Sequence, residues 1–155
     1  MIEYRKGETT ELEALLKARM DFLHDGGNAG QGNEPKQLTE ANKTWLKDGI
    51  ADGSLVFMLA LDGDNIAATG SLSFCTLPPN NKRPTGKAAY IGSMFTYPAY
   101  RGRGIATALF ARVVDEARQK GCEQVILNAT EMGRPIYAKY GFKPTGDEMV
   151  YYLVE

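Results

Sequence analysis

The feature that most limits what this chain can fold into is a strand, helix and strand in unbroken succession. Residues 105–120 repeat Ile105, Leu109, Val113 and Ala117 at i+4 spacing and run into Gly121, the pattern of a helix closed by a C′ glycine. Residues 88–96 before it read as a strand. It ends at Tyr97-Pro98, because the residue before a proline is driven into extended backbone. Residues 123–129 read as the next strand. A strand–helix–strand unit makes two parallel neighbours with a right-handed crossover, so the chain needs a sheet covered by helices.

The remaining segments fit around that unit. Residues 1–6 form a short first strand. Thr10-Glu11-Leu12-Glu13 has the form of a capping box, and Leu12, Leu15, Leu16, Met20 and Leu23 continue an apolar helical stripe to about residue 24. Residues 25–35 carry four glycines and no large apolar side chain, which reads as a mobile surface loop, either a lid over a bound acceptor or an untethered connection. A second helix is expected over about 39–50, with Trp45 and Leu46 inside it. Leu55 to Leu61, the turn Asp62-Gly63-Asp64 and Ile66 to Leu77 read as an antiparallel hairpin. Residues 135–140 form a short helix closed by Gly141, and 142–154 one or two final strands. The order β-α-α-β-β-β-α-β-α-β-β gives an α/β fold with a mixed sheet and helices on its faces.

Composition then removes function classes. A chain of 155 residues, 43% apolar, has the length of one domain spanning 1–155 and needs neither disulfide nor structural metal to fold. Its 18 basic and 19 acidic residues leave a charge of −1, which argues against a nucleic-acid binder. No apolar run suits a membrane span or a secretory signal, so a cytosolic (cytoplasmic) protein is expected. Cys75 and Cys122 read as two buried, reduced thiols. With His24 the only histidine, no metal-ligand spacing and no triad motif can be assembled.

Chemistry concentrates where the strand 88–96 meets the helix 105–120. The first N–H groups of a helix lack intrahelical partners, and its dipole makes that end positive. Gly102 and Gly104 permit a ligand to approach the main chain, while Arg101 and Arg103 supply cationic donors. Residues 88–114 contain three arginines and no acid. The segment reads either as a site for a phosphate-bearing ligand or as a glycine-rich turn with two solvated arginines. Walker and dinucleotide fingerprints both fail: no Gly-Lys-Ser/Thr follows, and Thr107 occupies the place of a third glycine.

Arg101-x-x-Gly104-x-Ala106 matches the (Q/R)-x-x-G-x-(G/A) loop of the GCN5-related N-acetyltransferases (GNAT superfamily), and Ile136-Tyr137-Ala138-Lys139-Tyr140-Gly141-Phe142 resembles a second segment of that family. The element order is similar over essentially the whole chain. The resemblance implies acetyl-CoA as co-substrate and central parallel strands that splay to admit the pantetheine arm. It further implies that the backbone of Met94, Phe95 and Thr96 pairs with that arm. The main chain of Gly102, Arg103, Gly104, Ile105, Ala106 and Thr107, with Arg101, would hold the diphosphate. Asn128, near the end of the next strand, would touch the pantetheine, though relatives often carry Asn where this chain has Thr130. Tyr137 would protonate the departing thiolate, with Tyr140 the competing phenol by composition. No metal is implied.

The implied reaction is acetylation of a primary amine, on a small molecule, by direct transfer in a ternary complex, with no cysteine placed for an acyl-enzyme. Many relatives carry a Glu in the strand before the loop, whereas residues 88–96 hold no acid. Asp21, His24 and Glu131 are stand-ins for a base, each equally readable as a solvated surface group. Acceptor contacts would come from residues 19–46. A protein acetyltransferase, a non-catalytic acyl-CoA-binding module and a nucleotide-binding protein are the alternatives. A homodimer is compatible with the resemblance, although no apolar stripe in the sequence demands one.

Overall fold

The structure, a computed structural model, describes residues 1–25 and 36–154. Residues 26–35, most of the glycine-rich segment, lie outside the described residues, and with them the lid-or-loop question. In chain order the elements are β1 (Glu3–Lys6), α1 (Leu12–Asp25), α2 (Lys36–Asp52), β2 (Leu55–Asp62), β3 (Asn65–Thr76), β4 (Lys87–Thr96), α3 (Ile105–Gln119), β5 (Gln124–Leu127) and α4 (Arg134–Tyr140). The strands form one sheet in the order β1-β2-β3-β4-β5, antiparallel except for the parallel pair β4–β5. None of the helices among the described residues is long and apolar enough to cross a membrane.

Alternation along the strands divides the core between two faces. Phe57 and Leu59 of β2 point to one face and pack with Leu15 and Leu23 of α1 and Leu46 of α2. Met58, Ala60, Leu72 and Ile91 point to the other, where Leu109, Phe110 and Val113 of α3 cover them. Phe57 and Phe110 are the largest fully buried side chains in these two layers.

Four expectations are corrected. Residues 142–154 contain no strand, so the order ends at α4. Met149 to Val154 stand with every side chain at least 60% exposed, an apolar stripe the sequence was expected not to present. Their β-branched and aromatic composition makes a strand only when paired, and they do not pair with the outer edge of β5. The helical start also differs from Thr10-x-x-Glu13. A 3₁₀ turn at Thr9–Glu11 precedes α1, and the Glu11 carboxylate accepts from the Glu8 N–H at 2.9 Å. Finally, Cys75 is exposed, near the end of β3, and Cys122 is half-buried, just before β5.

Candidate active site

The β4–β5 pairing stops early. Their register runs from Ala88↔Gln124 to Ile91↔Leu127, and beyond Ile91 the β5-facing edge of β4 is released while β3 still pairs with Phe95 and Thr96. A register shift between Thr69 and Ser71, opposite this stretch, accompanies the divergence. Ser93, at φ 53°, is the one described non-glycine residue with positive φ. Bulges bend a strand and re-aim its side chains. Here the bend opens a V between β4 and β5.

A cavity of about 590 Å³ occupies the mouth of this V. Met94, Phe95 and Thr96 form one wall, Ile136 and Tyr137 another, and Gly102 with Gly104–Thr107 the floor. After β4 a 3₁₀ turn, Pro98–Tyr100, carries the chain into the glycines. Gly102 and Gly104 both have φ 76°, and no heavy atom stands within 4 Å of where a side chain would begin at either. The first N–H of α3 to find an acceptor in its own helix is that of Ala108, on Gly104 C=O at 3.2 Å. Those of Ile105, Ala106 and Thr107 precede it, so the positive end of a fifteen-residue helix opens onto the cavity floor. This is a cradle for an oxyanion, built from the main chain.

The two arginines differ in placement. Arg101 turns inward: its Nε donates to Thr96 C=O at 2.9 Å, its guanidinium sits 5.8 Å from the Phe95 ring, and Nη2 lies 3.6 Å from Asp25. It ties the end of β4 and the end of α1 to the loop. Arg103 is exposed, leans over Tyr100 at 5.4 Å and does not line the cavity.

Tyr137 is 8% exposed, its ring 4.9 Å from that of Phe110. Burial raises its pKa, so the phenol stays protonated at neutral pH and can act as a hydrogen-bond donor. Tyr140 packs edge-on against Phe110 at 5.3 Å and does not line this cavity. Asn128 is placed elsewhere too: its amide donates to the Tyr90 hydroxyl at 3.2 Å, on the helix-1 side of the sheet, and Thr130 lines the cavity in its stead. Of the stand-in bases, Asp21 accepts from Tyr97 Oη at 2.6 Å and from Lys17 Nζ at 2.7 Å. Burial would raise its pKa, but these two donors outweigh that and hold it below the usual range. Burial, and then the same Asp21 contact, push the Tyr97 phenol well up. Glu131 is exposed, and His24 is an exposed residue near the end of α1. Phe22, Asp25, Tyr100, Met132 and Gly133 also line the cavity. Phe22 and Asp25 share the last turn of α1, and only the tertiary approach of that turn to Phe95 and Arg101 gives them away. A larger groove of about 800 Å³ follows β5 and α4 and contains none of the glycine-rich turn.

A mixed sheet split between two parallel strands, with an oxyanion cradle at the split and a buried phenol beside it, defines an acyl-CoA-binding transferase scaffold. The family comparison agrees: residues 13–142 match the acetyltransferase (GNAT) family, and the chain belongs to that family. It is similar to a predicted acetyltransferase from Clostridium acetobutylicum, solved with acetyl-CoA, at 32% identity and TM-score 0.89, covering 99% of this chain and 97% of that one. A probable glucosamine 6-phosphate N-acetyltransferase 2 from Oryza sativa subsp. japonica is 37% identical over 71 residues, 46% of this chain and 43% of the relative. The Trypanosoma brucei brucei glucosamine 6-phosphate N-acetyltransferase is 34% identical over 67 residues, 43% of this chain and 46% of the relative. The matches thus span less than half the length of these two relatives.

Proposed function

We propose that this chain transfers the acetyl group of acetyl-CoA to the primary amine of a small molecule, directly within a ternary complex. The observation that carries the reading is the continuous cavity from the α3 cradle, along Met94–Thr96, to Tyr137. Acetyl-CoA would supply an activated acyl thioester. The N–H groups at the start of α3 hold its diphosphate, and the released edge of β4 offers backbone groups to the amides of its arm. The amine nitrogen forms a bond to the thioester carbon, the carbon–sulfur bond breaks, and the Tyr137 hydroxyl donates a proton to the departing sulfur, while the proton the nitrogen sheds passes through solvent to restore the phenol.

Direct transfer is supported by the placement of the thiols, since neither Cys75 nor Cys122 lines this cavity. The carboxylate lining it among the described residues is Asp25, which lies 3.6 Å from Arg101. A lysine-like amine, pKa about 10.4, is neutral about once in 2,500 molecules at pH 7, whereas an amine near pKa 8 needs only about 1.4 kcal/mol to lose its proton. The second kind suits a site without a dedicated base. Thiol release from acetyl-CoA across a panel of amines tests the reading: an enzyme releases CoA with some amine, and a protein that binds acetyl-CoA and releases none is a binding module instead.

A further inference from the structure

Arg19 is the charged group that the cavity walls leave unexplained. It sits on α1 with Leu15, Leu16, Met20 and Leu23, all buried, and points at the sheet. Its Nε donates to Asn42 Oδ1 at 2.9 Å and its Nη1 to Ser93 Oγ at 3.0 Å. The guanidinium stacks between Phe22 at 5.4 Å and Trp45 at 5.1 Å. Each of these partners is neutral. Among the described residues no carboxylate forms an ion pair with Arg19, and two of its N–H groups have partners where a guanidinium offers five. Burial lowers its pKa, against an opposing influence from Tyr90, yet an arginine keeps its charge. A half-buried cation whose described partners are all neutral is costly unless an anion arrives to compensate it.

Its position says which anion. Along β4, Thr96 adjoins the cradle, Phe95 and Met94 line the cavity, and Ser93 comes next toward the point where β4 and β5 rejoin. A donor held by its diphosphate at Gly104 and extended along this edge directs its acyl end toward Ser93. Arg19 reaches Ser93 from the helix side, and Phe22, one turn on, already lines the cavity. The sheet surface there is polar, with Ser93 and Ser71 buried at 1% and 2% exposure and Tyr90 its exposed member. Ser71 Oγ donates to Ser93 Oγ at 3.1 Å, Gly92 has no side chain, and Tyr90 is 40% exposed with Asn128 beside it.

We propose that Arg19 binds an anionic group, carboxylate or phosphate, on the acceptor, so that the amines acetylated here are small and negatively charged at a second position. The proposal rests on the acetyl-transfer reading for its site but has its own test.

The test compares matched amines with acetyl-CoA: phosphoethanolamine against ethanolamine, and β-alanine against β-alaninamide. Wild type should favour the anionic member of at least one pair by about tenfold or more in kcat/KM, the scale of a charge-assisted contact. Which pair responds separates phosphate from carboxylate. Arg19→Gln should bring that ratio to about one through a higher KM, with kcat retained, and Arg19→Lys should keep part of it. Equal use of both members by wild type overturns the proposal, as does a preference that survives Arg19→Gln. Unchanged acetyl-CoA affinity by calorimetry certifies that Arg19→Gln is folded; should it not fold, the wild-type ratios and Arg19→Lys decide. If acetyl-CoA binds and no amine is acetylated, the transfer reading falls. Arg19 is then judged by thermal shift of the acetyl-CoA-loaded protein: stabilisation by the anionic member alone, reduced in Arg19→Lys, supports it, and equal shifts overturn it.

Discussion

A methyl group on Gly133 would stand 2.7 Å from the phenolic oxygen of Tyr137 and 2.8 Å from its Cε2. The tip of the ring is therefore held close to the start of α4, with Phe110 also against the ring. Among the described residues the hydroxyl takes no protein partner, which leaves its proton for whatever occupies the cavity.

Tyr137→Phe is expected to lower kcat for thiol release by about 10²-fold, the lower end of what a positioned acid contributes, with acetyl-CoA affinity nearly unchanged. Gly133→Ala should lower kcat as well, by displacing a phenol that is still present. Steady-state kinetics with calorimetry of acetyl-CoA binding reads both. An undiminished kcat in Tyr137→Phe would take the phenol out of the reaction.

Gly104→Ala should weaken acetyl-CoA binding by about tenfold, and the apo protein should melt a few degrees lower. An L-residue in the left-handed region costs about 1–2 kcal/mol, and Gly104 holds φ 76° immediately before α3. The site has room for the methyl in the free protein. The loss of affinity beyond the loss of stability therefore measures how closely a ligand approaches this backbone. Equal acetyl-CoA affinity in the two proteins would place the diphosphate elsewhere.

Arg101→Lys should be worse than Arg103→Ala. A lysine cannot donate to Thr96 C=O while also lying across Phe95 and reaching Asp25, as the planar guanidinium does. Losing Arg103 removes an exposed charge near the cradle. The first should lower both the melting temperature and acetyl-CoA affinity. The second should lower affinity alone, by a few-fold, and the more so at low salt. Melting curves and salt-dependent calorimetry distinguish the two.

What was legible in the sequence follows from what is locally determined. The hairpin, α3 and its glycine entry are written in short-range periodicity and turn chemistry, and the structure places them within a residue or two. Features set by tertiary contact were not. The divergence of β4 depends on a register shift against β3 at Thr69/Ser71, which no spacing announces. Residues 142–154 carry strand-forming side chains such as Val150, Tyr151 and Tyr152, yet they do not pair with the outer edge of β5. Arg19 did leave a signal: it falls four residues after Leu15 and four before Leu23, on the buried stripe of α1, where a charge needs a reason to be.

Glu11 ties the entry of α1 to the edge of the sheet, and its titration gives a signed pH dependence. Its carboxylate accepts from Arg5 Nη1 at 2.7 Å and Nη2 at 2.9 Å, and from the Glu8 N–H at 2.9 Å. The Arg5 hydrogen bonds are the largest influence and hold its pKa below the ordinary Glu value, against burial. A carboxyl with a depressed folded-state pKa stabilises the protein fully above its unfolded value of about 4.3 and loses that contribution as pH falls through the lower, folded value. The pair is partly exposed, with side-chain accessibilities of 38% and 25%, so its contribution is discounted for solvent screening to about 1 kcal/mol. Glu11→Gln should therefore melt a few degrees below wild type at pH 7. The difference should shrink steadily below about pH 4, as wild type protonates the carboxylate that the variant never had. A gap that stays constant down to pH 2.5 would assign the loss to the amide's geometry and not to the charge.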